Sequence, residues 1–272
     1  MNHMQYLILL AFGRLDEITW GITPRQWLDS HWYIRYKGIV LAEPSSTLFV
    51  LLLGFAILWL SLRFFRSGNH HKSRVWFGWS MLAWSLSTFS AAISYQVFSY
   101  QLKCAGRAVC LWTTPWEIVY LFLYVLSVKL LVIAIGYCRA SQKLRNFLLL
   151  YSILTGMVYT VILLAGVYLP NQFLVSFELM VLFLVPSYLI MFFVNIGNLK
   201  KSRQLIDRYL INAWIGMLLI TVAYFLFYFS GISGWLWQRR VWFNANDVLH
   251  LLLIGWVWYV NRRVYPLIED HK

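Results

Sequence analysis

The sequence predicts an all-α fold: a polytopic membrane protein, a seven transmembrane helix bundle with its N-terminus outside and its C-terminus cytoplasmic. Three observations predict it. Of 272 residues, 61% are apolar and only 12% charged, against roughly 25% charged in an ordinary soluble domain. The apolar residues also run in stretches of membrane length, since a helix crossing the hydrocarbon core needs about 20 residues at about 1.5 Å each. Finally, lysine and arginine fall unevenly in the loops between those stretches, which sets an orientation.

Residues 1–45 read as an extracytoplasmic interfacial segment and not as a second domain. The apolar run over 4–12 (MQYLILLAF) is too short to span, and it lacks the basic flank and small-residue site of a signal peptide. With Trp20, Trp27, Trp32 and Tyr33 following, it suits a helix lying on the outer leaflet. The membrane domain covers 46–265, and 266–272 form a cytoplasmic tail.

Uncharged stretches occupy 44–62, 75–102, 146–177, 179–199 and 209–238. Two further apolar segments carry charges: 116–138 holds Glu117 and Lys129, and 243–261 holds Asp247. The spans are therefore 46–65, 77–100, 116–138, 147–169, 172–196, 209–230 and 243–261. Pro170-Asn171 splits the long third stretch, because proline stops a helix and asparagine suits a turn. The hairpin between the fourth and fifth spans is accordingly expected to be very tight.

Fourteen basic residues gather on one side. They are Arg63, Arg66, Lys72 and Arg74; Arg139, Lys143 and Arg145; Lys200, Lys201, Arg203 and Arg208; and Arg262, Arg263 and Lys272. The short loops on the other side hold only Lys103, Arg107, Arg239 and Arg240. The first side is therefore cytoplasmic, and the net charge of +13 is a topology signal with attraction to anionic lipid. No basic patch interleaved with stacking aromatics marks a nucleic-acid partner. The expected partners are membrane lipids and other membrane proteins, and the strong bias with compact loops points to a bacterial inner (cytoplasmic) membrane. Cys104 and Cys110 lie in the second-to-third loop, on the oxidising side, and are a disulfide candidate; two unpaired thiols are the alternative.

Ionisable residues at membrane depth are costly unless paired or hydrated, so they carry the functional information. Glu43 stands at the mouth of the first span, Gln96 near the end of the second, and Glu117 opens the third. Glu178 is read as two turns into the fifth span, with Lys129 as the partner matched to it by depth. Asn246, Asp247 and His250 occupy the first turns of the seventh. All seven pocket candidates fall in the outer half of the bundle. Asn246 and Asp247 lie four and three residues before His250, which puts the three on one helical face. Such a face can bind a metal, relay protons or hold a polar head group. It can equally form an internal hydrogen-bond knot, with Asp247 paired to a base and His250 to a carbonyl. For Glu117 the alternative is a wet carboxylate that favours its own helix N-terminus. No Gly-rich phosphate loop, G-x-S-x-G or H-E-x-x-H motif is present, and the last span lacks the lysine a retinal protein would need.

Three segments together carry a resemblance. Ala42-Glu43-Pro44-Ser45-Ser46-Thr47 enters the first span, Ile93-Ser94-Tyr95-Gln96-Val97-Phe98 closes the second, and Phe243-Asn244-Ala245-Asn246-Asp247-Val248-Leu249-His250 opens the seventh. The pattern resembles the CREST superfamily, which includes alkaline ceramidases and progestin/adiponectin-type receptors, and is most similar to a bacterial seven-helix branch of it. The resemblance implies seven helices and, in the enzymes, a zinc held by one span-two histidine and an H-x-x-x-H pair from span seven, for lipid amide hydrolysis. Here Gln96 and Asn246 stand at two of those positions, and only His250 is kept. The implied function is a polar pocket that binds a lipid or amphiphile, or a membrane-embedded partner, with no cofactor. One alternative is a metal-dependent lipid amide hydrolase with zinc on His250 and Asp247. A second is a small-solute or ion transporter using Glu178, Asp247 and Lys129.

Overall fold

The structure is a computed structural model and describes residues 14–67 and 71–271; the apolar run over 4–12 lies outside them. A 3₁₀ turn, Arg14–Glu17, and helix α1, Pro24–Ser30, come first. Strands β1, Tyr33–Tyr36, and β2, Ile39–Ala42, then form an antiparallel hairpin with Tyr33 opposite Ala42. That hairpin departs from the all-α expectation. Its physical basis is a β-branched and aromatic run on either side of Lys37-Gly38, which both take positive φ (47° and 83°), as a tight two-residue turn requires.

The protein is membrane-integral. Five helices are long and apolar enough to cross a bilayer: α2 (Pro44–Arg66), α5 (Pro115–Arg139), α6 (Gln142–Tyr168), α7 (Phe177–Ser202) and α8 (Leu205–Phe229). Between α2 and α5 lie α3, Lys72–Ala91, a π-helical continuation over Ala92–Val97, and short α4, Ser99–Lys103. After α8 come α9, Ile232–Gln238, and α10, Ala245–Tyr259, which runs on as a π segment over Val260–Val264. The turn between α6 and α7 spans 169–176, longer than the two-residue break expected at Pro170-Asn171. Its backbone folds tightly against the α6 end, where a Cβ at Gly166 would come within 2.6 Å of Leu174 Cβ.

Packing neighbours run α2–α3–α5, then α6 and α7 against α5, then α7–α8–α10, and α10 returns to α2. The bundle is thus closed on itself, with α5 buried along most of its length. Although α3 is serine-rich and the least apolar of the long helices, it packs most intimately. Ser80 Oγ donates to Ser127 O, Ser85 Oγ to Gly54 O and Ser87 Oγ to Tyr120 O, at 2.8, 2.9 and 3.0 Å. Ser61 Oγ of α2 donates to Gly78 O at 2.8 Å. Small residues replace side-chain bulk with close approach here, as membrane helices do: a Cβ at Gly54 would stand 2.7 Å from the Phe89 ring. In the centre, Trp84, Tyr124, Tyr188, Trp214 and Trp256 surround a small cavity.

Candidate functional site

The end of the bundle at which α2 and α10 begin is called the mouth below. Pro44 occupies the first helical position of α2, where its missing N–H costs nothing. The residue before it, Glu43, takes a left-handed conformation at φ 41°, ψ 65°, a region disfavoured for non-glycine residues and more so before proline. Its backbone N–H donates to Trp32 O at 2.8 Å and its carbonyl accepts from Thr47 N at 2.9 Å. These bonds hold the turn and keep the carboxylate facing α10.

A capping box starts α10: Asn244 is the N-cap and Asp247 stands three residues on. Asn244 Oδ1 accepts from the N–H groups of Asn246 and Asp247 at 2.8 and 3.2 Å. Asp247 is fully buried. Its Oδ2 accepts from Asn244 N at 2.7 Å and Ser45 Oγ at 2.9 Å, and its Oδ1 from Ser46 Oγ at 2.8 Å. Hydroxyl and amide donors satisfy this buried charge, and in doing so they clamp the start of α10 to the start of α2. Among the described residues the expected pairing of Asp247 with a base does not occur.

Glu43 sits beside this clamp, half-buried, and among the described residues its carboxylate accepts one weak bond, from Asn244 Nδ2 to Oε2 at 3.3 Å. Burial raises its carboxyl above the ordinary carboxylate range and the neighbouring Asp247 charge adds to the rise, while the side chains of Asn244, Asn246 and Ser46 partly offset it. His250 lies one turn into α10, and its Nδ1 is 2.6 Å from Asn246 O. A carbonyl only accepts, so Nδ1 carries the hydrogen and Nε2 is left as a free acceptor in the neutral ring. Over the mouth, the Trp32 ring lies 4.6 Å from that of Trp237 and 5.7 Å from that of Trp242.

The other candidates do not join this group through any hydrogen bond or ion pair among the described residues. Glu117 is buried and not wet: it pairs with Lys103 at 2.6 Å and accepts from Ser94 Oγ at 2.7 Å. Lys103 Nζ also donates to Trp112 O and lies over the Trp20 and Tyr95 rings, at 5.5 and 4.9 Å. The disulfide Cys104–Cys110 closes the loop beside it, and the N-terminal segment crosses that loop through Trp20 N to Cys110 O and Cys110 N to Ile22 O. Gln96 is buried, and among the described residues its side-chain oxygen has no hydrogen-bond partner.

Two expectations are corrected. Glu178 is exposed in the first turn of α7 and is not two turns deep, because α7 starts at Phe177, later than the apolar run suggested. Lys129 is therefore not its partner. Lys129 Nζ donates to Ser187 Oγ at 2.8 Å, nine residues or about 13 Å further along α7, and faces the Tyr151 and Phe183 rings at 5.1 Å each.

At the opposite end lies a group that sequence reasoning missed. Arg139 clasps Asp207 with two guanidinium nitrogens, Nε at 2.8 Å from Oδ1 and Nη2 on Oδ2. Asn195 Nδ2 approaches the same carboxylate at 3.4 Å, and Trp214 Nε1 donates to Asn195 Oδ1 at 3.0 Å. By sequence Arg139 counts only toward the basic loop charge. The usable signal was Asp207, an acid in the first turn of an apolar helix beside a basic loop.

The residues do not suit zinc. Among the described residues no three His, Cys, Asp or Glu side chains converge as a metal group. Among the described residues His250 is the one imidazole in this group, both Asp247 oxygens already accept bonds, and Gln96 and Asn246 offer only amides, which are weak zinc ligands beside imidazole or thiolate.

A family model matches residues 45–266, from the first turn of α2 to just past the π segment after α10, and its description is a family of unknown function, DUF6962. The match covers most of the chain, so the protein belongs to that family. No curated protein and no solved structure matches it.

Proposed function

We propose that this DUF6962 protein is a CREST-like, seven-span membrane protein whose mouth binds the head of an amphiphile and does not hydrolyse it with zinc. In this reading α3 and α10, each lengthened by its π segment, are the two spans beyond the five. The mouth faces outward and the basic ends face the cytoplasm, which in a bacterium makes the membrane the inner one. Fourteen basic residues at the far end, against four in the short loops of the mouth side and four more in its N-terminal segment, support that orientation.

The observation that carries the binding reading is the inequality of the two adjacent carboxylates. Asp247 accepts three bonds and is structural. Glu43 is held in a strained backbone with one weak partner and no Lys or Arg within ion-pair distance among the described residues. Strain of this kind is kept where the site uses it. A ligand that donates hydrogen bonds, above all an ammonium head, would pair with Glu43 and find the aromatic faces of Trp32, Trp237 and Trp242 beside it. His250 Nε2 and the Asn246 side chain add an acceptor and an amide on the same face, and the apolar tail would lie along the lipid-facing surface of the bundle. Asp247, Ser45, Ser46 and Asn244 are the positioning residues.

The test is a titration of the detergent-solubilised protein with a single-chain alkylammonium amphiphile carrying a brominated tail, read by tryptophan quenching. Glu43→Gln is expected to weaken binding about tenfold, the value of one charge-assisted hydrogen bond, while a neutral-head analogue loses little. Equal affinity of wild type and Glu43→Gln for the ammonium ligand would defeat the reading.

A further inference from the structure

Where α7 ends and α8 begins, the far end of the bundle carries an open cleft of about 550 Å³ lined by Leu199, Lys200, Arg203, Gln204, Leu205 and Arg208. Three cations thus border one concavity, and among the described residues none has a carboxylate within ion-pair distance. The adjacent acid, Asp207, is fully buried and consumed by Arg139. Gln204, the N-cap of α8, makes no side-chain cap bond to its own helix. Its Oε1 instead accepts from Arg139 Nη1 at 2.5 Å. The first-turn N–H groups of α8 therefore lack a bond from their N-cap side chain and add their positive end to the same region.

Uncompensated cations around a concave opening favour an anion, and a phosphate carries enough oxygens to engage all three at once. Guanidinium groups pair with tetrahedral oxyanions two bonds at a time, whereas a lysine adds a compact point charge. We propose that this cleft binds a phosphate group, with Arg203 and Arg208 as its bidentate partners and Lys200 as the neutralising charge. Leu199 and Leu205 supply an apolar wall beside it. A phosphodiester lipid head and a free phosphate present the same chemistry to these residues. The proposal is independent of the mouth site. It also places the ligand one residue from the Arg139–Gln204–Asp207 group, so occupancy would tighten the α7–α8 turn against the end of α5.

The test uses the full chain in neutral detergent and two probes. Native mass spectrometry counts retained phosphatidylglycerol against phosphatidylcholine, and thermal unfolding follows inorganic phosphate against chloride at matched ionic strength. The variant is R203Q/R208Q, and the charge-matched control on the same end is K143Q/R145Q. With a lipid head as ligand, wild type and control retain phosphatidylglycerol and R203Q/R208Q loses it about tenfold, as expected for lost charge-assisted bonds. With free phosphate as ligand, lipid retention is alike in all three and inorganic phosphate raises the melting temperature of wild type and control only. Equal loss in both variants, or no discrimination by either probe, overturns the proposal, because net surface charge alone would then account for binding. If R203Q/R208Q does not fold, R203K/R208K replaces it: weakened binding at unchanged charge supports the bidentate site, and unchanged binding overturns it.

Discussion

At the residue scale, Glu43 and Asp247 show how neighbouring carboxylates acquire different tasks. Both were legible as candidates, because an acid beside an apolar run of membrane length is costly. Their roles were not legible, since these depend on Ser45 and Ser46 reaching across about 200 residues of chain to Asp247. Glu178 misled for a related reason: an uncharged stretch marks where a helix is able to cross, not where its first turn begins, and the chain over 169–176 folds back before α7 starts. A pH prediction belongs here. Burial raises the Glu43 carboxyl, so the folded protein binds that proton more tightly than the unfolded chain does. Stability attributable to Glu43 is therefore full below the ordinary carboxylate value and is lost as pH rises through the raised one. Glu43→Gln, which mimics the protonated acid, should raise the melting temperature at neutral pH in the absence of ligand. The gain should vanish at acid pH. A pH-independent difference in melting temperature would contradict the assignment.

At the element scale, α3 carries the lesson that hydropathy and centrality are separate properties. Its serines made it weakly apolar in sequence, yet they bring it close enough to α2 and α5 to bond backbone carbonyls of both. Gly54→Val should crowd the Phe89 ring and cost about 1–3 kcal/mol, as overpacking does. Thermal unfolding in detergent reads this, and Gly197→Val, where nothing stands within 4 Å, is the comparison expected to show little effect. The start of α3 is capped from the far end of the chain: Asp270 accepts from Lys72 N at 2.9 Å and Ser73 N at 2.7 Å. Burial opposes its ionisation, but these bonds outweigh it and hold its pKa below the usual value. The cap is thus present above the ordinary carboxylate range and is lost as pH falls through the lowered value. Asp270→Ala should cost about 1 kcal/mol at neutral pH and little in acid, read as a change in melting temperature. The Arg139–Asp207 clasp ties three elements, and removing one partner leaves a buried charge. Asp207→Asn should therefore cost about 3–5 kcal/mol, whereas Arg139→Met/Asp207→Leu should cost less.

At the scale of the whole molecule, the closed circuit from α2 through α10 brings residues 43 and 247 together, and neither end of the chain announces the other. The charge bias and the apolar runs made the membrane bundle legible, because both follow from local composition. The β-hairpin was written equally locally, in Tyr33 to Leu41 around Lys37-Gly38, but it was obscured by reading the tryptophan-rich segment as interfacial. The division of the polar residues into a mouth clamp, a Lys103–Glu117 pair and a far-end Arg139–Asp207 clasp was not legible, because depth along a span leaves the angular position around the bundle undefined. The central claim is that the mouth is a head-group site governed by Glu43. Native mass spectrometry of the protein extracted from its own membrane tests it most directly, comparing wild type with Glu43→Gln and with Glu178→Gln as the exposed control. The account predicts a co-purifying amphiphile with a hydrogen-bond-donating head on wild type and Glu178→Gln that is absent from Glu43→Gln. Retention of that same donor-headed amphiphile by all three proteins would contradict it; an anionic lipid held at the far-end cleft is expected on all three either way.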